Sequence, residues 1–150
     1  MKNIFDKDTA NELIHRINSL SVSQERSWGT MDVAQMLAHC NVTYEMIYDN
    51  KHRKATGLKK FMLKLFVKPV VVNEKPYDKN SRTAPAFLIA EAKEFEQEKQ
   101  RLLGFIIKTQ QLGESHFEGK ESNSFGTLNA SEWNNLFFKH LDHHLKQFGA

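Results

Sequence analysis

The sequence predicts an all-α protein, a four-helix bundle with a long insert between its second and third helices. Three observations carry that expectation. Apolar residues recur at three- and four-residue steps in four separate segments, helix start and stop residues bracket those segments, and no stretch shows the strong alternation of a strand. Four amphipathic helices must bury their stripes against one another, and a bundle is the usual way to do so.

The first helix is expected from about Asp8 to Leu20, with Ala10, Leu13, Ile14, Ile17 and Leu20 on one face. Thr30 is the expected cap of the second, whose stripe is Val33, Met36, Leu37, Cys40, Tyr44 and Ile47. The third is expected to open at Pro85 and stop at Gly113, a length of about 40 Å at 1.5 Å per residue. Its stripe reads Ile89, Ala92, Phe95, Leu102, Leu103 and Ile106. The fourth starts at Asn129-Ala-Ser-Glu132, a capping-box variant, and ends at Gly149, with Trp133, Leu136, Phe137, Leu141, Leu145 and Phe148 facing inward.

Residues from about Lys51 to Ala84 form the insert, long enough to let the third helix run parallel to the second. Basic charge concentrates there: Lys51, Arg53, Lys54, Lys59, Lys60, Lys64, Lys68, Lys75, Lys79 and Arg82 stand against Glu74 and Asp78. Leu58–Phe66 is expected as a short amphipathic helix across the end of the bundle that carries His39, His140 and His144, lysines outward, followed by an extended Val70-Val-Val72.

Composition narrows the function classes. The chain has 150 residues, 40% hydrophobic and 26% charged, which suits one globular domain. A single cysteine excludes an internal disulfide and a mainly thiolate zinc site. No apolar run is long enough for a membrane span, and the N-terminal stretch has no apolar signal segment, so the expected compartment is the cytoplasm. A net charge of +3 without a recognition motif argues against nucleic acid as a partner.

Histidines carry the chemistry. Among seven, His15 falls opposite the apolar face of its helix, and His52 and His116 lie in polar links. His140 and His144, four residues apart, fall near the centre of the last helix's apolar stripe, with His143 toward its edge. A lone buried histidine is ordinarily a hydrogen-bonded core residue, but two on one face form a pair that a metal can bridge. His39, on the flank of the second helix's stripe, is the candidate third ligand. Neutral imidazoles suit zinc, nickel, copper or ferrous iron, and the expected cofactor is a divalent ion, zinc or nickel. Leu141 stands where a zincin needs glutamate, and only Glu12-Leu-Ile-His15 has the di-iron spacing, with its histidine facing outward. Cys40 reads as a small core residue and Asp142 as surface charge.

Leu37-Ala-His39 early in the second helix, with His140 and His144-Leu-Lys-Gln147 in the last, resembles the DinB-like superfamily of metal-dependent hydrolases and thiol transferases. Phe125-Gly-Thr-Leu-Asn-Ala-Ser-Glu-Trp133 looks like a less characterised branch of it. The superfamily closes on His-Arg-Gly-Gln, and here Leu145-Lys146 replaces Arg-Gly. The resemblance implies an up-down-down-up bundle, a divalent metal on three histidines, a small-molecule substrate such as a low-molecular-weight thiol, and a homodimer. A metal-dependent enzyme is thus the leading expectation, with its catalytic and substrate-binding residues unassigned. A non-catalytic metal-binding bundle is the alternative, as is a module using the basic insert at an anionic membrane surface. A membrane partner is the less expected outcome, because the insert's apolar face has the bundle mouth to pack on.

Overall fold

A computed structural model describes residues 1–49 and 51–150, and the protein is mostly helical. Helix α1 (Lys7–Ser19) forms as expected and buries Ala10, Leu13 and Ile17. Helix α2 (Val33–Tyr48) is capped by Asp32, not by Thr30. The Asp32 carboxylate accepts from the Gln35 amide at 2.8 Å, and the Gln35 side chain accepts from the Asp32 amide at 3.0 Å. Thr30 has Val33 three residues on, so it cannot form that reciprocal pair.

Chain direction follows from cross-helix contacts. In α5 (Phe95–Phe117), Glu98 meets Asn41 and Thr109 meets Tyr48, so α5 runs parallel to α2. In α6 (Ala130–Gln147), His140 meets His39 while Phe137 stacks on Tyr44, so α6 runs antiparallel to α2. Ile4 bonds Asn134 and Arg16 bonds Asp142, which sets α1 parallel to α6.

Pro85 does not open α5. It starts one 3-10 turn, Pro85–Phe87, after which the chain has no helix until α5, with Leu88 and Glu94 extended. The Phe87 carbonyl is held by the His39 Nδ1 at 2.8 Å, and so is diverted from a helical ladder. Ala92 is accordingly exposed and Ile89 only half-buried. Gly113 does not end the helix either: its φ of 69° kinks α5, which continues to a fully buried Phe117. Phe117 packs against Phe5, Phe137 and Trp133, and burial of that ring holds the last turn in place.

Helix α6 starts as the sequence indicates, with Asn129 and Glu132 exchanging side-chain-to-amide bonds of 2.8 and 3.1 Å. Gly149, at φ 72°, follows its end. A two-stranded hairpin that the sequence reading lacked, β1 (Glu121–Ser122) with β2 (Gly126–Thr127), joins α5 to α6.

The insert departs most from expectation. Helix α3 (Gly57–Met62), a π turn (Leu63–Val67) and α4 (Lys68–Val71) make one continuous rod, so Val70 and Val71 are helical and not extended. Pro69 has no N–H to continue the ladder, and the Lys68 amide donates to the more distant Leu63 carbonyl, which widens the turn. The rod lies beside the hairpin and the N-terminal half of α6, through Lys60–Glu121, Lys68–Glu132 and the Asn135 bond to the Val72 carbonyl. It does not cross the histidine end. Lys59 and Lys64 are exposed as expected, but Leu58, Phe61, Met62, Leu65 and Phe66 face outward with them. The segment after it approaches that end: Tyr77 lies against His143, and Phe87 against His39 and His140. Among the described residues no helix is long and apolar enough to cross a membrane.

Candidate metal centre

Helices α2 and α6 bring His39, His140 and His144 together, with one nitrogen of each within 4.8 Å of the other two. His39 and His144 are buried, and His140 is half-buried. The His39 and His140 Nε2 atoms are 2.9 Å apart, and the His144 ring lies 4.5 and 4.8 Å, centre to centre, from theirs. The antiparallel crossing explains the level: His39 is in the second turn of α2, where the second half of α6 passes it.

Each ring is anchored by its other nitrogen. His39 Nδ1 donates to the Phe87 carbonyl at 2.8 Å. His144 Nδ1 donates to the Gln147 Oε1 at 2.8 Å, and the Gln147 amide nitrogen donates to the Trp28 carbonyl at 2.7 Å, which fixes which way that amide points. His140 Nδ1 pairs with the Thr43 hydroxyl at 3.0 Å. The His39 and His144 protons therefore sit on Nδ1, and their Nε2 lone pairs are left for the common centre. A metal-binding histidine needs this arrangement.

Gly29 makes the Gln147 anchor possible. Its φ is 81°, and a Cβ there would meet the Gln147 amide nitrogen at 2.5 Å.

Burial holds all three imidazoles neutral. It lowers His39 against the opposing bond to Phe87, and drives His140 well below the usual histidine range, with the neighbouring histidines adding to the effect. His144 is pushed down to about 3, chiefly by burial and then by His39. Neutral rings are ready ligands.

The same shifts predict acid sensitivity of the metal-free protein. The unfolded histidine titrates near 6.5, above the folded value, so the unfolded chain takes up protons first. Stability should be undiminished above about pH 6.5 and fall as pH drops toward 3, with His144 alone costing about 2 kcal/mol by pH 5. Urea unfolding of chelator-treated protein at pH 7.5, 6 and 5 measures this. A His144→Gln variant should show a shallower decline, and an unchanged slope would refute the assignment.

The remaining histidines are outside the group of three, although the His143 ring lies 5.0 Å from that of His144. His143 is half-buried between Trp28 and Tyr77, with ring centres at 5.6 and 5.7 Å. His52 bonds Glu45, His116 contacts Lys120, and His15 is exposed. Asp142 is bound to Arg16 and Lys146, and burial raises the Cys40 thiol and keeps it protonated.

Thr43, Phe87, Trp28, Tyr77 and Gln147 take part in the site without being among the residues the sequence predicts for it. Thr43 is four residues from His39, and Gln147 three from His144, so helical spacing could have found both. Trp28 and Tyr77 lie in irregular segments and Phe87 in a single 3-10 turn, where no periodicity marks them.

Buried imidazoles converging on one point, each with its second nitrogen anchored, define a mostly helical protein with a three-histidine candidate metal centre. The chain belongs to the family described as protein of unknown function DUF1569, whose model matches residues 3–150. No curated protein and no solved structure matches it.

Proposed function

We propose that this chain is a DinB-like up-down-down-up four-helix bundle that binds a divalent ion, zinc or nickel, on His39, His140 and His144, and acts as a metal-dependent thiol transferase or hydrolase. The observation that carries the reading is the set of convergent Nε2 atoms with each Nδ1 already committed. Three imidazoles are one ligand short of the usual closed zinc site, and the bound ion would supply Lewis acidity to a thiol or water at the open position.

The chain's own groups orient and enclose. Phe87, Thr43 and Gln147 hold the three rings, while the Phe87 ring packs against those of His39 and His140. The substrate class proposed is a small molecule, a low-molecular-weight thiol included, and the functional unit a homodimer. Metal binding without catalysis is the second reading. It is favoured by the commitment of Asp142 to Arg16 and Lys146, away from the three rings.

Tag-free protein should contain about one transition-metal ion per chain. Metal-free preparations that also fail to take up zinc or nickel on titration would overturn the proposal. Gln147→Leu, which removes only the His144 anchor, should weaken metal affinity by about 10- to 100-fold in a chelator competition. An unchanged affinity would show that Gln147 does not orient the ligand.

A further inference from the structure

We propose that the rod from Gly57 to Val71 docks on an anionic lipid bilayer. Leu58, Phe61, Met62, Leu65 and Phe66 recur at helical steps on its outer face and are 45–76% exposed. A helix packed on its own protein turns such a stripe inward. Here only Leu63 and Val71 reach the core, and the stripe faces solvent. Large apolar residues gathered on one exposed face mark an interaction surface, unlike single scattered ones.

Charge identifies the partner. Residues 51–82 carry ten Lys and Arg against two acidic residues, a net +8 in a chain whose total is +3, so the rest of the chain is net −5. Two lysines, Lys60 and Lys68, tie the rod to Glu121 and Glu132 at 2.7 and 2.8 Å. Lys59 and Lys64 lie beside the apolar stripe, exposed, and make no ion pair among the described residues. A second copy docked face to face would bring two +8 segments together. An anionic bilayer supplies what each half of the surface requires: apolar depth for the stripe and opposite charge for the lysines. The rod's 15 residues extend about 22 Å, which suits a helix lying in the interface, not one that spans it. This surface is independent of the histidine centre.

The test is sedimentation of the full chain with phosphatidylcholine vesicles, with and without phosphatidylserine. The protein should pellet with the anionic vesicles, stay in solution with the neutral ones, and be released by salt. Lys59→Gln/Lys64→Gln should weaken binding roughly fivefold for each lysine removed. Phe61→Glu/Phe66→Glu should weaken it at least about tenfold, because the apolar insertion itself is lost. All four side chains are exposed, so circular dichroism should be unchanged. Absence of pelleting with phosphatidylserine, or pelleting insensitive to Phe61→Glu/Phe66→Glu, would overturn the proposal. So would a dimer in size-exclusion chromatography that this variant abolishes without any lipid binding, which would assign the face to a second copy.

Discussion

Replacing His140 with alanine should reduce zinc or nickel affinity by more than about 100-fold and leave the helices intact. The factor exceeds that for losing an anchoring partner because a ligand atom itself disappears. The fold should survive because the inward face of α6 keeps Trp133, Phe137, Leu141, Leu145 and Phe148, each at most 2% exposed. Thr43 loses its partner, but a helical threonine can turn its hydroxyl to the carbonyl four residues back. Metal content and circular dichroism on one sample decide the matter. Joint loss of metal and helicity would mean that the ion supplies folding energy, the behaviour of a structural site.

Phe137→Ala should do the reverse, costing about 3–5 kcal/mol of stability. Phe137 has no exposed surface and lies one turn from His140. It stacks on Tyr44 at 5.2 Å and Trp133 at 5.5 Å, and meets Phe117 edge-on at 5.3 Å. Tyr44 stacks in turn on Phe105, so the truncation would open a void in a column that ties α6 to α2 and α5. For a chain of this length the midpoint should fall by on the order of 10 °C. A loss under about 1.5 kcal/mol in urea would show that the column relaxes to fill the gap. Together the two variants separate the groups that hold the fold from those that hold the ion.

Legibility in the sequence tracked regularity of the backbone. The apolar stripes of α1, α2 and α6, and the Asn129 box, could be read because period and capping are local properties. His140 and His144 could be read for the same reason, being four residues apart on a strongly two-faced helix. His39 depends on how two helices cross, which no local property encodes, and the antiparallel pairing of α2 with α6 brings it to His140. The start of α5 was misread because Pro85 is a sound helix opener whose turn is cut short by a distant partner, His39. Gly113 was misread because the pull on Phe117 outweighs the glycine's usual role as a stop. The rod's orientation could not be read at all. A two-faced helix is assigned apolar side inward by default, and nothing local in Leu58–Phe66 signals the reverse.

The Phe87 carbonyl on His39 joins a helix to an irregular segment 48 residues further along the chain. That segment is tied down at its start as well, since the buried Lys139 ammonium donates to the Val70 and Asn73 carbonyls at 2.7 and 2.6 Å. Between these two moorings the chain has no regular structure before the turn at Pro85, yet the aim of the His39 ring depends on where it comes to rest. On the proposed metal reading, loop order and ion affinity become two readings of one equilibrium. Whatever settles residues 74–86 should tighten an ion held there, and the ion should settle those residues by the same factor.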